Sequence, residues 1–178
     1  CALPIFQTRI PIEYLNLGAG GELTFNSDSD NRDLDLVVRG TDVGDDFRVN
    51  ASGQVQIFRA GVAFFTTLPI QTPGVAELFL EGLDGDDDFN VVGNHPFLQG
   101  VSIAGGNPDS GSDVLDFTAS GAAINVNLGS KSITETGFGA VNYVGIETAD
   151  INANTGDVTV NGTEGNDLTA LRPTAADA

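Results

Sequence analysis

Carboxylates crowd into four glycine-containing turns of this sequence, and carboxylates at such density are suited to binding cations. The turns are residues 40–47, 82–90, 105–115 and 162–168, and each leads into an apolar segment. Neighbouring carboxylates repel one another and raise each other's pKa unless a cation lies among them. Flexible loops that offer hard oxygen ligands suit calcium. The sequence therefore predicts a calcium-binding protein, with Ca²⁺ as its cofactor.

The densest turn is residues 82–90, where four aspartates fall within five positions. Four like charges are costly to hold in a folded turn, which favours metal binding there over an ordinary solvated turn. For a single Asp-Gly turn elsewhere, the solvated turn stays the simpler interpretation. The segment Asp28, Asp30 and Asp33 has a second spacing, without the glycine and glutamate of an EF-hand. The predicted metal ligands are Asp28, Asp30, Asp42, Asp46, Asp84, Asp86, Asp87, Asp88, Asp113, Asp116 and Asp167.

The composition restricts the possible partners. The chain has 178 residues and a net charge of −18, from 25 acidic and 7 basic residues. This balance argues against nucleic acid and anionic membranes, which both attract basic residues. Hydrophobic residues make up 40% of the chain and include 11 Phe, so a folded domain is expected rather than an acidic disordered tail. No stretch is apolar over the length that a transmembrane helix needs.

Short segments with alternating apolar residues, separated by glycine turns, predict an all-β fold. In the second half, strands of three to five residues at short spacing favour a parallel β-helix or β-solenoid. The first half contains a predicted hairpin at Arg59–Gly61 and is expected to be partly antiparallel. A β-sandwich is the alternative. The predicted strands are residues 23–25, 34–38, 54–58, 62–65, 78–80, 89–92, 101–103, 124–128, 141–144, 149–152 and 158–160.

The two ends of the chain differ from the β domain expected at residues 18–171. Residues 1–17 contain an apolar, extended arm, and Pro4 and Pro11 exclude a central position in a sheet. This arm packs on its own domain or adds as a donor strand to a neighbouring copy. Gly18–Gly21 follows as a predicted hinge. Residues 172–178 are expected to form a flexible tail.

One turn resembles a known repeat. Gly82, Gly85, Asp87 and Phe89 fill the fixed positions of G-x-x-G-x-D-x-U-x, where U is a large apolar residue. This pattern resembles the RTX-type calcium-binding β-roll proteins of bacterial cell surfaces, although Leu83 stands where that repeat has a second glycine. The resemblance implies calcium at the aspartates of the turns and strands that stack in parallel.

The other three turns match the repeat less closely. Residues 105–115 match with a longer loop, and residues 162–168 match without the apolar residue. In the first turn, Gly40, Gly44 and Asp46 match if Val43 is treated as an insertion. The turns are separated by tens of residues, whereas the repeats of the family are contiguous. The resemblance covers the turns rather than the whole chain.

Catalysis is not expected. His95, the only histidine, lies in a loop and is expected to be exposed to solvent. No nucleophile and base can be assembled around Cys1 or His95, and Lys131 is the only lysine. A polysaccharide-active enzyme that uses a pair of carboxylates is a less favoured alternative.

The sequence therefore predicts a secreted structural subunit, outside a bacterial or archaeal cell, whose partners are copies of itself in a head-to-tail homopolymer. Such a subunit would build a filament, sheath or surface layer. The alternative is a calcium-stiffened module of a surface adhesin. Cys1 could be a fragment boundary, a lipid-anchored residue or one half of an intermolecular disulfide.

Overall fold

The computed structural model describes residues 23–25, 34–59, 69–107 and 113–166. Every regular element within these ranges is a β-strand, which confirms the all-β prediction. No helix that could cross a membrane is found in this part of the chain. The predicted arm, the hinge, the strand at 62–65 and the tail lie outside the described residues.

The described ranges contain fourteen strands. In chain order they are β1 (Leu23–Thr24), β2 (Leu34–Arg39), β3 (Asp45–Val49), β4 (Val55–Arg59), β5 (Ile70–Gln71), β6 (Val75–Asp84), β7 (Asp88–Val92), β8 (Gly100–Asn107), β9 (Val114–Thr118), β10 (Ile124–Asn127), β11 (Ser132–Glu135), β12 (Val141–Val144), β13 (Thr148–Asn152) and β14 (Val158–Asn161).

The strands form two open sheets of seven strands each. Sheet A has the order β1-β5-β4-β3-β7-β9-β13, and sheet B has the order β14-β10-β11-β12-β8-β6-β2. Both are mixed: β3, β7, β9 and β13 pair in parallel, as do β2, β6, β8 and β12. Antiparallel pairs join β3 to β4 near the N-terminus and β10 to β11 in the second half. The sequence predicted antiparallel pairing in the first half, but the structure has antiparallel pairs in the second half as well.

Four connections lead from a strand of sheet B to a strand of sheet A. They join β2 to β3, β6 to β7, β8 to β9 and β12 to β13. We call them the crossing turns, and they are residues 40–44, 85–87, 108–113 and 145–147, of which 108–112 are not described. Because the strands on both sides pair in parallel, the described parts of the crossing turns lie side by side at one border of the two sheets.

The two sheets share one hydrophobic core. Alternating residues face it, as in β6, where Leu78 and Leu80 are buried while Phe79 and Glu81 are only partly covered. Phe47 and Phe89, aligned on neighbouring strands, stack with ring centroids 4.8 Å apart. This aromatic pair packs the strands after the first two crossing turns into the core.

The expectation that His95 is exposed was wrong. Its side chain is 1% exposed and its ring lies 5.6 Å from that of Phe97, which is fully buried. Burial lowers the pKa of His95 to about 4, so the ring is neutral near neutral pH. His95 is therefore part of the packed interior and not a solvent-facing loop residue.

Candidate metal centre

The strand register brings one acidic residue at the end of each crossing turn, or directly after it, into a single row. Asp46 pairs with Asp88, and Asp88 pairs with Val114, which in turn pairs with Thr148. The residue preceding each of these strand positions is acidic. We call this row the acid column, and its members are Asp45, Asp87, Asp113 and Glu147.

Each side chain of the acid column accepts a backbone hydrogen bond, and for Asp87, Asp113 and Glu147 the donor is the preceding member of the column. The backbone N–H of Asp45 donates to Asp87 Oδ1 at 2.7 Å, and that of Asp87 donates to Asp113 Oδ1 at 2.9 Å. The backbone N–H of Asp113 donates to Glu147 Oε2 at 2.8 Å. At the first turn, Asp45 Oδ2 accepts the backbone N–H of Thr41 at 2.6 Å. The carboxylates thus connect the four crossing turns in sequence.

Glycines make room for the other carboxylate oxygens. A Cβ on Gly82 would overlap Asp87 Oδ2 and the carbonyl oxygen of Gly105. A Cβ on Gly105 would overlap Asp113 Oδ2 and the carbonyl oxygen of Gly145. Each of these carboxylate oxygens therefore lies close to a backbone carbonyl of the neighbouring segment, Gly105 in β8 or Gly145 in the fourth crossing turn, because the intervening glycine has no side chain.

The acid column contains buried charge that the described residues do not satisfy. Asp45, Asp87 and Asp113 are 1%, 0% and 0% exposed, and one oxygen of each has no hydrogen-bond partner. Burial, with the nearby Asp113, Asp45 and Asp86, raises the pKa of Asp87 to about 7 despite the bond from the Asp45 backbone. Burial likewise raises the pKa of Asp113. Such groups are stable only when they are protonated or when a cation compensates their charge.

The donor set fits a calcium ion better than a transition metal. Carboxylate and carbonyl oxygens are the hard ligands that calcium prefers, and the acid column offers both on adjacent turns. Within the described ranges, no group of three or more His, Cys, Asp or Glu side chains is gathered closely enough to hold a metal. The acids lie along a row instead of around a point, so an ion bound there would need backbone carbonyls and solvent as its remaining ligands.

A second set of acids lies on the outer face of sheet A. This outer acid patch consists of Asp46, Asp88, Asp116 and Asp150, where Asp46 pairs with Asp88 and Asp116 pairs with Asp150. Arg48 forms an ion pair with Asp46, and Asn90 Nδ2 donates to Asp46 Oδ1 at 3.0 Å. Partial burial raises the pKa of both Asp88 and Asp116, with smaller contributions from neighbouring acids. Because these groups face solvent, they need a cation less than the acid column does.

The predicted ligands thus fall into different environments. Asp87 and Asp113 belong to the acid column, whereas Asp46, Asp88 and Asp116 belong to the outer acid patch. Asp42 and Asp86 are exposed turn residues, and Asp84 accepts a hydrogen bond from Asn107 Nδ2 at 3.1 Å. Asp28, Asp30 and Asp167 lie outside the described residues.

Sequence reasoning missed Asp45 and Glu147. The repeat alignment assigned Asp46 to the position of Asp87, but the register assigns Asp45 to it. The sequence contains a signal for Asp45, because Asp45 follows Gly40 by five residues, just as Asp87 follows Gly82. Glu147 gave no such signal, because its turn contains one acid only.

Leu83 adopts the backbone conformation that the repeat assigns to a glycine. Its φ is 88°, a left-handed value that a branched side chain adopts only under strain, and Gly85 follows with φ 127°. Leu83 pairs with Gly106 on β8, whose φ of 126° is also positive. The turn geometry at this position is therefore kept although the glycine is not.

No protein-family model, curated protein or solved structure matches the chain. The resemblance to the RTX-type repeat therefore stays a prediction drawn from the turn sequences.

Proposed function

We propose that this protein is a calcium-binding structural subunit, without catalytic activity, of an extracellular assembly on bacteria or archaea. The observation that carries this proposal is the acid column. Three stacked, buried carboxylates each keep one oxygen without a hydrogen-bond partner. A protein with a net charge of −18 has few bases with which to neutralise them.

Calcium would compensate this charge where neighbouring turns meet. Asp87 Oδ2 and the Gly105 carbonyl oxygen are close to each other, as are Asp113 Oδ2 and the Gly145 carbonyl oxygen. An ion held by the first pair would join the second crossing turn to β8, and an ion held by the second pair would join the third and fourth crossing turns. Binding to the folded chain alone would then stabilise the fold by mass action.

The architecture that fits this role is a β-solenoid. Each crossing turn joins a strand of sheet B to a strand of sheet A, and the successive pairs stack in parallel. One such pair cannot bury its apolar side alone and depends on its neighbours. Stacked acids and stacked phenylalanines follow directly from this repetition.

The directions of the edge strands support head-to-tail assembly. In sheet B, β2 and β14 are the edges, and the chain of pairings between them gives both the same direction. In sheet A, β1 and β13 likewise share one direction. A second copy could therefore continue both sheets without reversing a strand, and such a heterologous contact gives an open filament.

The end of the stack at β14 has apolar side chains to cover. Val158 and Val160 on β14 are both 45% exposed. An uncapped solenoid end of this kind tends to stack on another copy. Exchange of the arm at residues 2–17 between copies is one way in which this end would be completed.

The calcium proposal is tested by thermal unfolding in calcium or in EDTA at matched ionic strength. Calcium at about 100 times its dissociation constant should stabilise the fold by about 2.7 kcal/mol. Magnesium should stabilise it less, because it demands a more regular site. Identical melting temperatures in calcium and EDTA would remove the basis of the proposal.

Assembly is tested separately by electron microscopy and light scattering in the presence of calcium. The wild-type chain should form filaments, and Val160→Lys should remain monomeric because it places a charge on the exposed end. Thr118→Lys, an equal charge change on the outer face of sheet A, should assemble like the wild type. Wild-type chains that stay monomeric at high concentration would refute head-to-tail assembly and leave the calcium proposal intact.

A further inference from the structure

The outer face of sheet B carries a row of uncharged polar side chains. The register aligns Asn161 with Asn127, Asn127 with Ser132, Ser132 with Asn142, and Asn142 with Ser102. We call these five residues the amide row. Strands lie about 4.8 Å apart, so the row extends over about 19 Å. All five side chains are exposed or partly exposed.

An aromatic side chain ends the row. Ser102 pairs with Phe79 on β6, whose side chain is partly exposed on the same face. Phe79, Ser102, Asn142 and Val144 line an open groove of about 270 Å³. The groove therefore combines an apolar ring with hydroxyl and amide groups, and the carboxylate of Glu81 also lines it.

This combination is what a sugar ring requires. One face of a pyranose presents C–H groups that pack on an aromatic ring, while its hydroxyls exchange hydrogen bonds with groups that both donate and accept. Asn and Ser offer donors and acceptors without charge. The strand spacing is similar to the length of one sugar ring, so successive rings of a linear chain could meet successive side chains of the amide row.

The distribution of charge selects the class of sugar. The five side chains of the amide row are uncharged, although Ser102 Oγ donates to Glu77 Oε1 at 3.0 Å. Glu81, which also lines the groove, is ion-paired with Arg39, so this face carries less net charge than the outer acid patch of sheet A. The net charge of −18 repels anionic polymers. Cationic polymers would prefer the acidic face. A neutral chain is the ligand that fits the face of sheet B.

We propose that the outer face of sheet B binds a linear neutral polysaccharide along the amide row, with Phe79 as the stacking platform. This binding does not depend on calcium or on self-assembly. It gives a structural subunit a way to hold a surface matrix.

Affinity electrophoresis in native gels tests this directly. Gels contain hydroxyethyl cellulose, xyloglucan, glucomannan or dextran, with anionic alginate as the comparison. At least one neutral polymer should retard the wild-type chain, and alginate should not. Phe79→Leu keeps an apolar side chain but removes the ring, and it should weaken retardation at least tenfold. Thr118→Ala, on the opposite outer face, should behave as the wild type.

Asn142→Ala provides a second, independent variant. It changes an exposed side chain, so it keeps the test decisive if Phe79→Leu fails to fold, which circular dichroism shows. Asn142→Ala should also reduce retardation. The proposal is overturned if none of the four neutral polymers retards the wild type, or if both folded variants are retarded as strongly as the wild type.

Discussion

Replacing Asp87 by Asn removes one charge from the acid column and keeps the shape of the side chain. Asn has the same size, and its side-chain oxygen can still accept the backbone N–H of Asp45, which Asp87 Oδ1 accepts at 2.7 Å. Its amide can donate toward the carbonyl oxygen of Gly105, near which Asp87 Oδ2 has no hydrogen-bond partner. The substitution therefore removes one buried negative charge and supplies the donor that the site lacks. Without calcium, Asp87→Asn should be more stable than the wild type.

The pKa of Asp87 sets the size of the effect. It is raised to about 7, compared with about 3.9 for an ordinary aspartate. A group with a raised folded pKa contributes stability below its ordinary pKa and loses it as the pH rises through the folded pKa. At about 1.4 kcal/mol per pH unit, ionising Asp87 in the fold costs about 4 kcal/mol above pH 7. The advantage of Asp87→Asn should therefore be close to zero near pH 4 and approach this value at pH 8.

Urea unfolding in EDTA at pH 8 and at pH 4 measures this difference. Asp157→Asn makes the same change of net charge at an exposed position and should leave stability almost unchanged. In calcium the order should reverse, because calcium stabilises the wild type more than a chain with one ligand removed. If Asp87→Asn unfolds at lower urea than the wild type in EDTA at pH 8, the charge of Asp87 is satisfied in some other way and this reasoning fails.

Three further outcomes follow from the same geometry. Gly105→Ala should cost about 1–3 kcal/mol in urea unfolding, because its Cβ overlaps Asp113 Oδ2 and the Gly145 carbonyl, while Gly129→Ala, with no atom closer than 3.4 Å, should be nearly neutral. Glu135→Gln should cost about 2 kcal/mol at pH 7, since buried Glu135 accepts the backbone N–H groups of Ser120 and Ala122. Burial raises the pKa of Glu135, but the hydrogen bonds that its carboxylate accepts lower it more, so the pKa lies below the ordinary value. The cost of Glu135→Gln should therefore shrink as the pH falls through this lowered pKa. Calcium should raise the melting temperature less at pH 5 than at pH 8, because protons compete for Asp87 below about pH 7.

Most of the strands could be predicted from the sequence, although β3, β5, β9 and β11 are not among the predicted strands. The partners of the strands could not be predicted. Alternation such as Leu78 and Leu80 against Phe79 and Glu81 identifies a half-buried strand locally. The pairing of β3 with β7 joins residues more than forty positions apart, and nothing local specifies it. For the same reason the antiparallel pairs of β10, β11 and β12 were not expected. His95 was misjudged because its burial depends on Phe97 and on distant strands that cover the loop.

Half of the acid column was visible in the sequence. Asp87 and Asp113 have the glycine before them and the large apolar residue two positions after them that the repeat requires. The insertion of Val43 obscured Asp45, although Phe47 stands two positions later. Glu147 could be found only from the register, because Ala149 occupies the position of that apolar residue. Whether a carboxylate is buried depends on which turn stacks above it, and that is a property of the fold.

The acid column also has a mechanical consequence. Backbone hydrogen bonds of both sheets run along the direction in which the turns stack, so tension between the two ends of the stack would pull directly on them. The hydrogen bonds of the acid column run in the same direction and add a third set of bonds at one border, from Asp45 to Asp87, from Asp87 to Asp113 and from Asp113 to Glu147. Under tension the fold should therefore separate first at the border opposite the crossing turns, and the bonds of the acid column should break last.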